Sequence, residues 1–363
     1  MDNIFTEGKI NNVTLSNRLI RSATWEGMCD NTGAPTEKLI KFYEEMINGG
    51  VGLLITGYQY VKKDGQQLPG QIGIHDDALA ESHKNLTKRI HDSNGKIFAQ
   101  IVHCGGQSSS KSSGFQPSAP SSVKTPQYPE EVKELTEEEI EALISSFTEA
   151  AMRAKEWGYD GIQLHAAHGY LINQFLSPHT NKRNDRYGAT LDNRARFLYK
   201  VYENIRGKTG EDFPITVKLS GNDNIDDGFK PDEAVKVAKK LDEMGIDAIE
   251  VSGGTSASGE KTPVRTDIPE SENEGYNMDE ALKIKENVSC PVISVGGFRS
   301  YKVVEKALSH IDFVSMARPL ICETDLPNIW KKKEKNTSDC ISCNGCFRPG
   351  LKEGGIRCIV KNP

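Results

Sequence analysis

The chain has 363 residues, with 45 Lys and Arg against 51 Asp and Glu, a formal net charge of −6, 36% hydrophobic and 26% charged side chains. This composition excludes a disordered chain, a collagen-like repeat and a strongly basic nucleic-acid binder. No apolar run approaches the roughly 20 residues that cross a bilayer. The segment from Met1 to Glu7 lacks the basic start and apolar core of a signal peptide, so a cytoplasmic protein with no membrane partner is expected.

Short apolar runs rich in β-branched residues recur along the chain: Arg18–Ala23, Gly52–Gly57, Ile97–His103, Gly161–His165, Ile215–Ser220, Ala248–Gly253, Val292–Gly297 and Phe313–Arg318. Runs of this kind read as strands buried on both faces, as in an all-parallel sheet. Helical patterns lie between them. Thr136 and Glu139 form a capping box ahead of Ile140, Leu143, Ile144 and Phe147, which share one face. Pro231 opens another helix in its first turn, and Leu191–Ile205, Met278–Glu286 and Val303–Leu308 follow the same scheme. Eight alternations of strand and helix predict an α/β fold, a (β/α)8 TIM barrel. The rival doubly wound sheet would carry G-x-G-x-x-G after its first strand, and that fingerprint is absent.

Two segments interrupt the alternation. Gly105–Glu131, rich in Ser, Gly and Pro, follows the third strand and is long enough to be a lid over a substrate. Residues 1–335 thus form the barrel, and residues 336–363 a cysteine tail packed on it. Cys29, Cys104, Cys290 and Cys322 are scattered, whereas Cys340, Cys343, Cys346 and Cys358 crowd together. In a reducing compartment such a cluster reads as a metal site. The close C-x-x-C-x-x-C spacing is ferredoxin-like, with zinc on four thiolates and free or disulfide-linked thiols as alternatives.

Barrel chemistry gathers at the C-terminal ends of the strands. Gly296-Gly297 and Ala317-Arg318 end the last two, where backbone N–H groups and a guanidinium suit a phosphate. Gln100 and Lys218 are polar residues inside apolar runs. They either pair within the barrel or face the polar edge of a flavin. His165 and His168 converge as two donors to a substrate oxygen, as two metal ligands with His103 as a loose third, or as a structural pair.

The stretch His165-Ala-Ala-His168-Gly-Tyr170-Leu-Ile-Asn-Gln-Phe-Leu-Ser-Pro178, followed by Asn181–Gly188 and Asn193-Arg194, resembles the Old Yellow Enzyme family of FMN-dependent oxidoreductases. Leu15-Ser-Asn17-Arg18 and Val295-Gly296-Gly297 occur in the family's order and spacing. The resemblance implies FMN at the barrel mouth, with Ser22, Ala23, Thr24, Gly57, Gln100 and Lys218 along its ring and Gly296, Gly297, Ala317 and Arg318 at its phosphate. It implies that His165 and His168 hold the carbonyl oxygen of a small-molecule enone and that Tyr170 protonates the alkene carbon. NADH or NADPH would serve as reductant through the same pocket, by ping-pong hydride transfer, and homo-oligomers are implied. The tail is similar to that of a subgroup including dienoyl-CoA reductases and trimethylamine dehydrogenase, which implies a 4Fe–4S cluster on Cys340, Cys343, Cys346 and Cys358. Trp25, Gly27 and Lys218 depart from the family's commoner residues. Two other readings stand beside this one: a metal-dependent barrel hydrolase or lyase using His165 and His168, and an electron-transfer subunit fed by an electron-donor protein.

Overall fold

The eight apolar runs become eight parallel strands in a computed structural model, which describes residues 3–361 apart from 267, 269 and 270. They are β1 (Leu19–Arg21), β2 (Leu53–Ile55), β3 (Ile97–Val102), β4 (Gly161–Ala166), β5 (Ile215–Ser220), β6 (Ala248–Ser252), β7 (Val292–Val295) and β8 (Phe313–Met316). Each pairs in parallel with the next, and β8 returns to β1 with Val314 opposite Leu19, which closes a TIM barrel. The ladders stop a residue or two before most of the expected strand ends.

Helices cover the outside. Glu137–Glu156 starts with the expected capping box between Thr136 and Glu139, and Pro231 begins Pro231–Glu243. Their apolar faces pack on the outward side chains of the strands. Among the described residues no helix is long and apolar enough to cross a membrane.

The sequence reading did not include a floor to the barrel. Gly8–Ile10 and Val13–Leu15 form an antiparallel hairpin. Its Ile10, Val13 and Leu15 pack with Ile20, Ile55, Phe98, Ala248, Ile293 and Phe313 in an inner core. A Cβ on Gly8 would lie 2.4 Å from the Phe313 ring, so the hairpin can plug the barrel only with glycine there. The segment expected as a bare lid loop carries short helices at Gly105–Gln107 and Ser110–Ser113, and Ser118–Ala119 pairs with Lys133–Glu134.

The cysteine tail is held to the barrel by main-chain bonds: Tyr301 N–H to Asn336 O (2.7 Å), Ser338 N–H to Arg299 O (2.8 Å) and Ile356 N–H to Glu26 O (2.9 Å). Its helix Phe347–Glu353 lies against Trp25. Gly27, at φ +66°, and Gly350 flank that indole, and a Cβ on either would stand 2.7 Å from the ring. Trp25 and Gly27 are therefore one departure: the large ring fits because both neighbours lack side chains.

Candidate active site

Side chains alternate along a strand, so every second residue faces the barrel axis. Phe98, Ala248 and Phe313 belong to the apolar floor. Two residues further on stand Gln100, Glu250 and Ser315, all buried and polar. Two further still, Ser252 and Ala317 reach the mouth. The axis thus passes from an oily floor through a polar middle layer to the site.

The middle layer is one hydrogen-bonded network. Lys218 Nζ donates to Ser22 Oγ (2.9 Å) and lies 3.4 Å from Glu250 Oε2. Ser22 and Ser315 hydroxyls donate to Glu250 Oε1 at 2.7 and 2.6 Å. Gln163 Nε2 donates to Glu250 Oε2 (2.8 Å), and Gln163 Oε1 accepts from Gln100 Nε2 (2.7 Å). Gln100 Oε1 is buried and has no partner among the described residues. Burial lowers the Lys218 pKa and the Glu250 carboxylate pulls it back up. An ion pair so enclosed needs its extra hydrogen bonds to persist.

Above this layer lies a cleft in two connected parts. Ser22, Ala23, Thr24, Lys218, Gly297, Ala317 and Arg318 line the deep part. The outer part, about 480 Å³, is bordered by His165, His168, Tyr170, Tyr58 and Gln67, and shares Ala23, Thr24, His168 and Phe347 with the deep part. Gly57, Gln100 and Gly296 stand outside both linings. Gly57 serves a different contact: its N–H donates to Tyr43 Oη (2.9 Å), and a Cβ there would meet Glu26 Oε2 at 2.1 Å. Gly296 O accepts from Gly275 and Tyr276 N–H groups. Gly297, at φ +72°, makes the turn that lets the chain pass the deep end.

The two imidazoles meet edge to face with centroids 4.9 Å apart, and Tyr170 packs on His165 at 4.8 Å. His165 is the inward residue of β4, two beyond Gln163; His168 follows in a left-handed turn (φ 65°) that swings it back over the axis. His168 Nε2 lies 2.7 Å from Ser252 Oγ, and His165 Nδ1 accepts from the Ala167 N–H at 3.4 Å. Burial, with Lys218 nearby, pushes His168 down to about 3; burial, with His168 and Lys218 next in effect, holds His165 well below the usual imidazole range. Both rings are neutral at physiological pH and each keeps one N–H. Tyr170 Oη donates to Gln67 Oε1 (3.0 Å), which also accepts from Tyr58 Oη (2.8 Å). Burial raises the Tyr170 pKa, so the phenol holds its proton.

His103 does not join the pair. Its Nε2 lies 3.2 Å from Asp64 Oδ1 and its Nδ1 accepts from the Gly105 N–H, which uses both ring nitrogens. The four tail thiols do not assemble as a cage either. Among the described residues no group of three or more His, Cys, Asp or Glu is placed to hold a metal ion. The Cys358 thiol instead faces Cys322 at 3.5 Å, with Cys340 in the same buried cluster, while Cys343 is exposed. As arranged, these thiols lend no support to the expected 4Fe–4S cluster or to a zinc ion. The tail reaches the cleft by another route: Ser342 and Phe347 line its deep part. Arg318 Nη1 donates to Ser342 O (3.0 Å), Asn344 Oδ1 (2.7 Å) and Arg265 O (2.7 Å).

Tyr58, Gln67, Ser252 and Glu250 were missing from the sequence reading. Glu250 had a signal, since it is an acid inside the apolar run Ala248–Ser252, as Lys218 is a base inside its own. Gln67 comes from a segment without periodicity.

A family model described as NADH:flavin oxidoreductase / NADH oxidase matches residues 3–337. The chain is 36% identical over 368 residues to an NADH oxidase of Thermoanaerobacter brockii, covering 99% of this chain and 56% of that protein. It therefore spans about half the length of that relative. Among solved structures, a 2-naphthoyl-CoA reductase complex superposes with a TM-score of 0.92 at 28% identity, over 99% of this chain and 57% of the other. An old yellow enzyme homologue from Zymomonas mobilis gives 0.81 at 27% identity, over 96% and 98%.

Proposed function

The chain belongs to the NADH:flavin oxidoreductase / NADH oxidase family, and from that premise we propose that it reduces the C=C bond of α,β-unsaturated carbonyl compounds. When bound, FMN would supply the hydride-transfer chemistry between NADH or NADPH and the alkene. The residues present suit that cofactor. Lys218, on the lining of the cleft, offers a cation where a reduced flavin gathers negative charge, and Gln100, in the layer below it, offers a buried acceptor without a partner among the described residues, which suits a ring N–H. Gly297, Ala317 and Arg318 would take the phosphate at the deep end of the cleft, and Ser22, Ala23 and Thr24 the ring.

The reading rests chiefly on one observation: two neutral imidazoles and a protonated phenol border one cleft whose inner end is lined by a buried lysine. His165 and His168 donate their N–H groups to the substrate's carbonyl oxygen, which draws electrons from the β-carbon. Tyr170 holds the proton for the α-carbon, oriented by Gln67. Gln107, Gln127 and Tyr128 border the outer cleft, which suits Gly105–Glu131 as the wall that excludes water. Residues 1–335 carry these side chains, while residues 336–363 add part of the cleft wall and hold Arg318 through Ser342 and Asn344.

The test is an anaerobic titration of the FMN-loaded protein. NAD(P)H should bleach the flavin absorption, and one equivalent of a simple cyclic enone should restore it and yield the saturated ketone. Bleaching without recovery by any enone would leave a flavin oxidoreductase of another specificity. A protein that takes up no FMN would end the reading.

A further inference from the structure

We infer that Glu250 is the positioning residue of the flavin site, keeping Lys218 as an ammonium beneath the ring and fixing the orientation of the Gln100 amide. The inference rests on the placement of FMN proposed above. Glu250 is fully buried on β6, in register with Lys218 on β5. Donors reach its two oxygens from four other strands: Ser22 beyond β1, Gln163 on β4, Lys218 on β5 and Ser315 on β8. No other side chain in the middle layer gathers so many.

Orientation follows by elimination. An ionised carboxylate only accepts, so Gln163 must present its NH2 to Glu250 and its oxygen to Gln100. Gln100 must then spend an N–H on Gln163, and its Oε1 is the end left over. A glutamine with its two ends exchanged would offer a flavin N–H another donor. Glu250 thus sets, two hydrogen bonds away, which end of Gln100 is available.

Charge follows from the surroundings of Lys218. The charged and titratable groups acting on it are Glu250 on β6, Arg21 on β1, and His165 and His168 at the end of β4. Arg21 is already paired with Glu26, and both imidazoles are neutral. Among the described residues Glu250 is the carboxylate in contact with Lys218. A lysine so enclosed gives up its proton when its counter-ion is removed. A neutral lysine no longer favours the reduced, negatively charged flavin.

Midpoint potentials of the FMN-loaded protein at pH 7 test this. Lys218→Met and Glu250→Gln should each shift the flavin equilibrium at least tenfold toward the oxidised form, a potential about 30 mV lower for a two-electron couple. The double variant should fall no further than Lys218→Met alone. Glu250→Asp, which withdraws the carboxylate by one methylene, should fall between and serves where Glu250→Gln does not fold. A potential at or above wild type in Glu250→Gln, or in Glu250→Asp where that variant stands in, would overturn the inference while Lys218→Met still lowers it. An unchanged potential in Lys218→Met would instead overturn the placement of FMN itself.

Discussion

Around the barrel mouth three functional side chains are each held by a polar partner from another part of the fold. Lys218 has Ser22 and Glu250, His168 has Ser252, and Tyr170 has Gln67. The cysteine tail is fixed differently. Its main chain is pinned at Asn336, Ser338 and Ile356, and its helix rests on Trp25, but its thiols answer to no ladder. Cys358 turns to Cys322, which lies outside the motif, and Cys343 turns to solvent. A strand register converts sequence spacing into geometry; a spacing of cysteines does so only once something binds them.

The largest effect that could break this comparison is at Tyr170. Tyr170→Phe should slow the enone half-reaction by about 10²–10⁴-fold, the range of a positioned general acid. Flavin reduction by NAD(P)H should stay within a few-fold of wild type in the same stopped-flow experiment. Equal loss in both halves would remove Tyr170 from the proton step.

Arg318 joins the two regions, so its removal should disturb both. Arg318→Met loses charge-assisted bonds of roughly 1.5–3 kcal/mol. FMN affinity should drop tenfold or more, and limited proteolysis should cut the tail faster. Loss of FMN with an unchanged cleavage pattern would separate the regions again.

Gly350→Val tests the tail alone. Its Cβ would collide with the Trp25 ring and with Ile356, an overpacking cost of about 1–3 kcal/mol. Proteolysis after Asn336 should quicken while the midpoint of barrel unfolding hardly moves. A lowered barrel midpoint would show that the tail is part of the barrel's core.

A further effect concerns pH. His83 is buried between Tyr159 Oη and Gly73 O and is lowered to about 4, and His168 is lowered to about 3. Between pH 6.5 and 4 the unfolded chain binds protons that the native rings refuse, so their share of stability is complete above pH 6.5 and is lost toward pH 4. Each group accounts for at most about 1.4 kcal/mol per unit. The urea midpoint should fall from pH 7 to pH 5; a rise would mean that the rings are protonated in the native state.

Much of the barrel was legible because eight apolar runs and their capped helices carry period and punctuation. Gln100 and Lys218 stood out by polarity alone, and Glu250 could have been found by the same rule. The floor hairpin was not legible, since three-residue strands carry too little pattern to separate from a loop. Gln67 and Tyr58 were missed because a loop brings one of them to the site and the other follows a strand as an ordinary aromatic. Trp25 could be noticed but not explained until Gly350, far along the chain, was seen against it.

The account turns on two uncharged imidazoles that polarise one oxygen over the flavin. Its most direct measurement is a crystal structure of the FMN-loaded protein with a slowly turned-over enone. The carbonyl oxygen should lie within hydrogen-bonding distance of both His165 and His168, with the alkene beneath Tyr170 Oη. An enone bound with its oxygen turned away from both rings, or a flavin lying elsewhere than above Lys218, would contradict it.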